Sequence, residues 1–421
     1  MRHFSSPSLS KTSFAQYRKF SKGIYTRSLR AAEHLEGLTI LHINSATGGG
    51  VAELLKNQVP LERSLGLNSQ WLVLNENKDF FFITKKMFNL IQGQKGFLPA
   101  PEREYFLQHL RQPGLSLEKI LGRIKGPAVV VLHDVQVLPL IDYVPARFKA
   151  IVRLHMDLMS PNTEVMKFLL PFLKKAGKVV VTHKQFIPKG LKRKQILLSF
   201  PAINPFSKKN EAMPKDVAGR LLKKIHVDIL RPIIAQVSRF DVWKDPEGVI
   251  EAYYLAKKQV PGLQLILEGA AEAKDDPEAA AIYQKLKMEH KNDPDLFLQG
   301  QRTLRGPKYE KWVNAIQSRA DIILQKSLRE GFGLTVTEAL YKGKPVIGGN
   351  ALGIKLQIKN KWNGFIVNSP KECAKRIIQL LKDKNLGSRL GKNGQAFVKE
   401  NFLINRLVLD FLKVYLEFIK S

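Results

Sequence analysis

Two doubly wound α/β domains with parallel sheets are what this sequence predicts. Three observations carry the prediction. At 421 residues the chain is too long for a single hydrophobic core. Short apolar runs alternate with longer amphipathic segments in two successive series. A stretch rich in Pro, Lys and polar residues separates the series. With 44% hydrophobic and 25% charged residues, the composition is that of an ordinary globular chain.

In order, residues 1–32 contain no acid, several serines, and Arg2, Lys11, Arg18, Lys19, Lys22, Arg27 and Arg30. This composition overlaps with that of an organellar transit peptide. The reading adopted is a flexible basic tail leading into a surface helix near residues 25–35. The first series of apolar runs follows: LTILHI (38–43), QWLVLN (70–75), PAVVVLHD (127–134), KAIVRLH (149–155), KVVVTH (178–183) and ILLSF (196–200). None alternates with period two, so each suits a strand covered on both faces. Residues 201–221 read as a linker. The second series is RPIIAQVSRF (231–240), QLILEG (264–269), LFLQG (296–300), DIILQKS (321–327), PVIGG (345–349) and NGFIV (363–367). The chain closes on an amphipathic helix. The expected divisions are a tail over 1–32, a first domain over 33–210, a second over 211–395 and a crossover helix over 396–421. The two domains are expected to face each other across a cleft at their C-terminal strand edges, where ligands of open parallel sheets bind.

No run approaches the roughly 18 apolar residues of a membrane span. The single cysteine, Cys373, excludes an internal disulfide framework and fits a reducing, cytoplasmic compartment. Its helical surroundings predict inert packing. The net charge of +31 is spread along the chain, without nucleic-acid-binding motifs, so it reads as a solvated surface. No specific nucleic-acid partner is expected; weak contact with an anionic membrane and a homodimer are the partner expectations that remain open.

The densest concentration of chemistry is REGFGLTVTEAL (329–340). It lies where a buried strand gives way to a helix. Gly331 and Gly333 let backbone approach a ligand, and a helix opening near Leu334 offers free N–H groups to an anion. Glu330 in the loop and Glu338 one turn into the helix can grip two parts of one ligand. Arg239 and Lys244, just past a strand, can clamp a diphosphate. In the first half, Asn44 leads into the run Gly48, Gly49 and Gly50, which can cradle a phosphate or a sugar face and matches neither a Walker loop nor a dinucleotide fingerprint. Asp134 and His155 end adjacent strands and can bind sugar hydroxyls. Asp293-Pro294-Asp295 has the look of a metal motif but lacks companion ligands, and reads as a turn.

Taken together, these stretches resemble the retaining glycosyltransferases of family 4, with the GT-B fold, and within them the trehalose-synthase branch. The stretches are LHINSATGGGVAELL, FFFITKKMFNLIQG, LHDVQVLPL, RLHMDLMSPN, QVSRFDVWKDPEGVIEAY and DIILQKSLREGFGLTVTEALYKGKPVIGGN, covering residues 38 to about 367. The resemblance implies transfer of glucose from a nucleoside-diphosphate glucose to glucose, with retention. It implies catalytic roles for Arg239, Lys244, Glu330, Asp134 and His155. It implies a donor site of Gly49, Gly50, Arg239, Lys244, Lys326, Glu330, Gly331, Phe332, Gly333, Leu334 and Glu338. It implies an acceptor site of Asn44, Gly48, Asn89, Asp134, Gln136 and His155. No metal ligand and no tightly bound cofactor is implied; Mg2+ would accompany the nucleotide as a counter-ion. Departures from the branch pattern occur at Leu352 and Lys355, at Met87 before Phe88 and Asn89, at Val135 and Val137, and at Asn204. Three other readings stay open: a retaining trehalose phosphorylase, a family 4 transferase with a lipid or glycan acceptor, and a non-catalytic binder of nucleotide sugars or polyanions.

Overall fold

The structure is a computed structural model and describes residues 3–45, 48–269, 271, 278–300 and 306–420. It divides into two compact units: residues 1–202 with 404–421, and residues 203–403.

The first unit holds a sheet of strands β1 (Phe4–Ser5), β2 (Thr39–Asn44), β3 (Asn68–Leu74), β4 (Ala128–His133), β5 (Lys149–Arg153), β6 (Lys178–Val181) and β7 (Ile196–Leu198). Their order is β1-β3-β2-β4-β5-β6-β7. Every pairing is parallel except that of β1, which runs antiparallel to β3. Runs such as TILHIN and AVVVLH are buried at every position, because helices cover both faces of the sheet. The helix Ile404–Lys420 belongs to this unit. Arg406 Nη2 donates to the carbonyls of Phe200 and Pro201 at 2.7 and 3.2 Å, and its Nη1 pairs with Asp410 at 2.6 Å.

The second unit holds an all-parallel sheet of β8 (Ile233–Val237), β9 (Gln264–Gly269), β10 (Leu296–Gly300), β11 (Ile322–Gln325), β12 (Val346–Gly349) and β13 (Phe365–Val367), in the order β10-β9-β8-β11-β12-β13. All the apolar runs of both series became strands. Cys373 is buried in this core, which pushes its thiol up to about 12 and makes it unreactive.

Three expectations need correction. The basic segment before residue 33 is ordered where the structure describes it. It forms β1, a 3-10 turn Phe14–Lys19 and the helix Lys22–Glu33. Two of its serines are caps: Ser13 and Ser21 accept from the N–H groups of Ala15 and Ile24. Phe14 and Tyr17 stack at 5.8 Å and are fully buried. Composition read charge, while burial was decided by a few aromatic residues. The expected linker is also structured. Asn204 caps a turn by accepting from Phe206 N–H at 2.9 Å, and Lys215–Leu222 is a helix. The boundaries therefore fall after residues 202 and 403 rather than at 210 and 395. Ile203 and Leu403 pair in a bridge that places the entry and exit of the second unit side by side. Asp293-Pro294-Asp295 is a turn, its carboxylates paired with Lys257 and Arg231.

Among the described residues, no helix is long and apolar enough to cross a membrane.

Candidate active site

In the second unit, the polar residues gather where β8 and β11 end. Gln236, buried in β8, organises them. Its side chain donates to the carbonyl of Lys244 at 2.9 Å and accepts from the N–H of Lys326 at 3.0 Å, so one amide joins the turn after β8 to the turn after β11. That turn after β8 carries Arg239, whose Nη2 lies 3.7 Å from Asp241 Oδ2. It ends on Lys244, whose ammonium donates to Glu330 Oε2 at 2.6 Å. Ser327 Oγ adds a second donor to the same oxygen at 3.2 Å. Lys326 is buried and pairs with Asp245, which also caps the helix Pro246–Lys257. A side chain at Gly248 would collide with that pair, its Cβ falling 2.4 Å from Asp245 Oδ2 and 2.6 Å from Lys326 Nζ.

The loop 329–333 is held open as a cradle. Gly333 takes φ of +87° and caps the helix Leu334–Tyr341. Gln357 clamps the loop, donating to the carbonyls of Phe332 and Gly333 while accepting from Thr337 Oγ1 at 2.5 Å. Gly353 lies directly against the loop and donates its N–H to Glu330 O at 3.1 Å. A Cβ there would sit 2.5 Å from Glu330 O. The departures at Leu352 and Lys355 flank this contact.

Glu338 stands apart from that cluster. It is 2% exposed, accepts from Gln317 Nε2 at 3.2 Å and lies 3.3 Å from Lys209 Nζ. Lys342 completes the group, donating to Gln317 Oε1 at 2.9 Å and Asn210 Oδ1 at 3.2 Å. Burial pushes the Lys342 ammonium down to about 7, opposed by Glu338.

In the first unit, Asp134 and His155 are brought together. The Asp134 carboxylate accepts from the N–H of His155 at 2.7 Å. Asp134 adopts φ of +65°, a left-handed conformation that typically costs about 1–3 kcal/mol in a non-glycine residue and that clusters at functional sites. Burial raises its carboxyl to about 7. His155 Nε2 is 3.0 Å from His133 Nδ1, and burial with Arg153 nearby holds both rings well below the usual imidazole range. Asn44 is buried and accepts from Trp71 Nε1 at 2.7 Å. Gly48 caps the helix Gly49–Ser64, in which Gly50 follows; Gly49 takes φ of +78°. A Cβ added at Gly48 or Gly49 would meet nothing within 4 Å among the described residues. The loop residues 46 and 47 lie outside the described residues. Gln136 is half-buried in the 3-10 segment Val135–Tyr143, and Asn89 is buried in the helix Lys78–Ile91.

Thus the structure joins Lys244 to Glu330 and Asp134 to His155, and gives Glu338 its own partners. Lys209, Gln317, Lys342, Gln236 and Gln357 escaped sequence reading. Lys209 was hidden in the supposed linker; Gln236 and Gln317 sit in a strand and a helix, and Lys342 and Gln357 in turns, as ordinary polar residues. Chemically, the second unit offers clustered cations, a glycine cradle and two carboxylates suited to a phosphorylated, hydroxyl-rich ligand. The first offers a glycine-capped helix N-terminus and hydrogen-bonding groups suited to sugar hydroxyls.

Comparison with known proteins agrees with this division. Residues 42–188 match the family described as trehalose synthase, N-terminal domain, and residues 223–397 match glycosyl transferases group 1. A trehalose synthase of Thermococcus litoralis is 36% identical over 93% of this chain and 92% of its own. A trehalose phosphorylase of Grifola frondosa is 26% identical, over 91% of this chain and 58% of its own. Among solved structures, a sucrose-phosphate synthase of Thermosynechococcus elongatus superposes with a TM-score of 0.70 at 18% identity, covering 91% of this chain and all of the other. The chain belongs to the trehalose synthase family of group 1 glycosyltransferases and has the GT-B fold.

Proposed function

From that membership as premise, we propose that the protein transfers glucose from a nucleoside-diphosphate glucose to free glucose, forming α,α-trehalose with retention at the anomeric carbon. The observation that carries this reading is the Lys244–Glu330 pair at 2.6 Å, set between the Arg239 turn and the glycine cradle. It supplies a cation for a departing diphosphate beside a carboxylate for glucose hydroxyls. Arg239 and Lys244 neutralise the charge that grows on the leaving group, the effect that dominates reactions of this kind. The free N–H groups at the start of the helix Leu334–Tyr341 add to that stabilisation. Glu338 binds the ribose hydroxyls. Asp134 and His155 orient the sugars at the reacting centre, and Gly49 and Gly50 lie against them. No resident cofactor takes part; Mg2+ accompanies the nucleotide.

The test is product identification. Purified protein is incubated with a panel of nucleoside-diphosphate glucoses and glucose. The expected result is release of nucleoside diphosphate and of a non-reducing disaccharide with two α-linkages by NMR. Glucose 1-phosphate formed from trehalose and phosphate, with no turnover of any nucleotide donor, would instead establish a phosphorylase.

A further inference from the structure

Beneath the first-unit strand edge, four side chains form one hydrogen-bonded line. Glu62 is fully buried and accepts from Gln58 Nε2 at 2.8 Å, Ser69 Oγ at 2.6 Å and Tyr415 OH at 3.2 Å. His42 Nε2 lies 3.0 Å from its Oε2, and His42 Nδ1 lies 3.1 Å from His133 Nε2. His133 Nδ1 in turn meets His155 Nε2 at 3.0 Å. The register explains the alignment. His133 ends β4 opposite Arg153 of β5, and His42 lies on β2 opposite Val131, one inward-facing position earlier. Among the described residues, five of the six ring nitrogens are bonded to protein, and only His155 Nδ1 is not.

Such a line has few self-consistent proton arrangements, because each ring nitrogen's role is set by its partner. A carboxylate fed by an amide and two hydroxyls is an acceptor, so His42 carries its proton on Nε2. If the rings are neutral, His42 Nδ1 accepts from His133 Nε2–H, and His133 Nδ1 accepts from His155 Nε2–H. His155 Nδ1 is then a bare acceptor at the strand edge. One added proton at that nitrogen reverses every link. His155 Nε2–H passes to His133 Nδ1, His133 Nε2–H passes to His42 Nδ1, and the positive charge ends on His42 against Glu62. His155 then carries Nδ1–H and donates.

We infer that Glu62, His42 and His133 are positioning residues that set His155 as a hydrogen-bond acceptor for a sugar hydroxyl, and that one proton turns it into a donor. The inference rests on the sugar-transfer reading for its ligand and not for its geometry. The surrounding charges favour the neutral line at neutral pH. Arg153, on β5, lies beside His133 and His155. Asp134 bonds the His155 N–H, and Arg406, Asp410 and Tyr415 face Arg153 from the helix Ile404–Lys420. Phe411 of that helix covers both Arg153 and His42. A second positive charge on this face repels the guanidinium. Ordinary core packing of histidines would not leave every nitrogen but one committed in a single direction.

The full chain labelled with 15N-histidine tests this by long-range 1H–15N NMR, which reads the tautomer of each ring. Assignments come from His155→Asn and His133→Asn. Expected at pH 7.5 is Nε2–H on all three rings, with all three converting together at one midpoint on acidification. In Glu62→Gln the Nδ1–H form of His155 becomes populated, kcat falls about 10-fold with little change in donor KM, and the acid limb of the pH–rate profile moves. His155 found as the Nδ1–H form in the wild-type protein, or three independent midpoints, overturns the relay even if Glu62→Gln fails to fold. Trehalose formed by a protein with a Nδ1–H His155 refutes the relay and keeps the transferase; an intact relay in a protein that makes no trehalose does the reverse.

Discussion

In the second unit the three cations of the site lie against carboxylates: Lys244 on Glu330, Lys326 on Asp245 and Arg239 near Asp241. In the first unit, Arg153 is 2% exposed, and its terminal nitrogens make no hydrogen bond among the described residues. The second-unit group is thus a set of ion pairs; the first-unit group is a set of side chains whose charge burial disfavours. The effect on titration follows. Burial brings Asp134 up to about 7 and Arg153 down to about 9, and lowers His133 and His155. The comparison teaches that the two halves are suited to different partners. Paired charges can exchange a carboxylate for a phosphate with little reorganisation, whereas neutral imidazoles and a carboxyl raised to about 7 suit uncharged hydroxyls.

The strongest way to break that contrast is to remove a second-unit cation. Lys244→Ala is expected to lower kcat/KM about 10³-fold, the upper end of what one charge-stabilising donor supplies. Glu330→Gln, which keeps shape and loses charge, should lower it about 10²-fold. Steady-state kinetics on the donor checks both, and a loss under 3-fold for Lys244→Ala would remove the phosphate role.

Packing gives a second, smaller contrast. A Cβ added at Gly353 would fall 2.5 Å from Glu330 O, while one at Gly49 would meet no described residue within 4 Å but would sit on a backbone with φ of +78°. Gly353→Ala should destabilise by about 2–3 kcal/mol through overpacking, and Gly49→Ala by about 1 kcal/mol through backbone strain alone. Denaturant unfolding followed for each unit measures both, and equal losses would erase the distinction.

The last expected effect is a pH slope. The Asp134 carboxyl rises from 3.8 unfolded to about 7 folded, so the folded chain holds the extra proton between those values. Its contribution is fully present below pH 3.8 and is lost as pH rises through 7. Asp134→Asn should flatten stability against pH in that window. Lys342, lowered from 10.5 to about 7, gives the opposite slope above it, with stability gained as pH rises from 7 to 10.5. Lys342→Met should remove that gain.

Much of this was readable before any coordinates. Continuous apolar runs such as AVVVLH need cover on both faces, and their order along the chain defines the strands. Glycines beside acids at the end of DIILQKS marked the candidate ligand loop because few structural needs place them there. The segment before residue 33 was not readable, since three buried aromatics, Phe4, Phe14 and Tyr17, outweighed seven cations. Nor were the partners of Glu338, because Lys209 comes from a turn and Gln317 from another helix, more than a hundred residues apart, and only the folded unit brings them to it.

The residues alone determined the α/β rhythm, the family and the motif acids and cations, because periodicity and local turn chemistry act within a few positions. Tertiary structure alone decided which charges pair, where the chain passes between units, and that three histidines on or just past separate strands share one hydrogen-bonded line. Hydrogen bonds and burial depend on distances that separate stretches of chain acquire only when the sheet assembles.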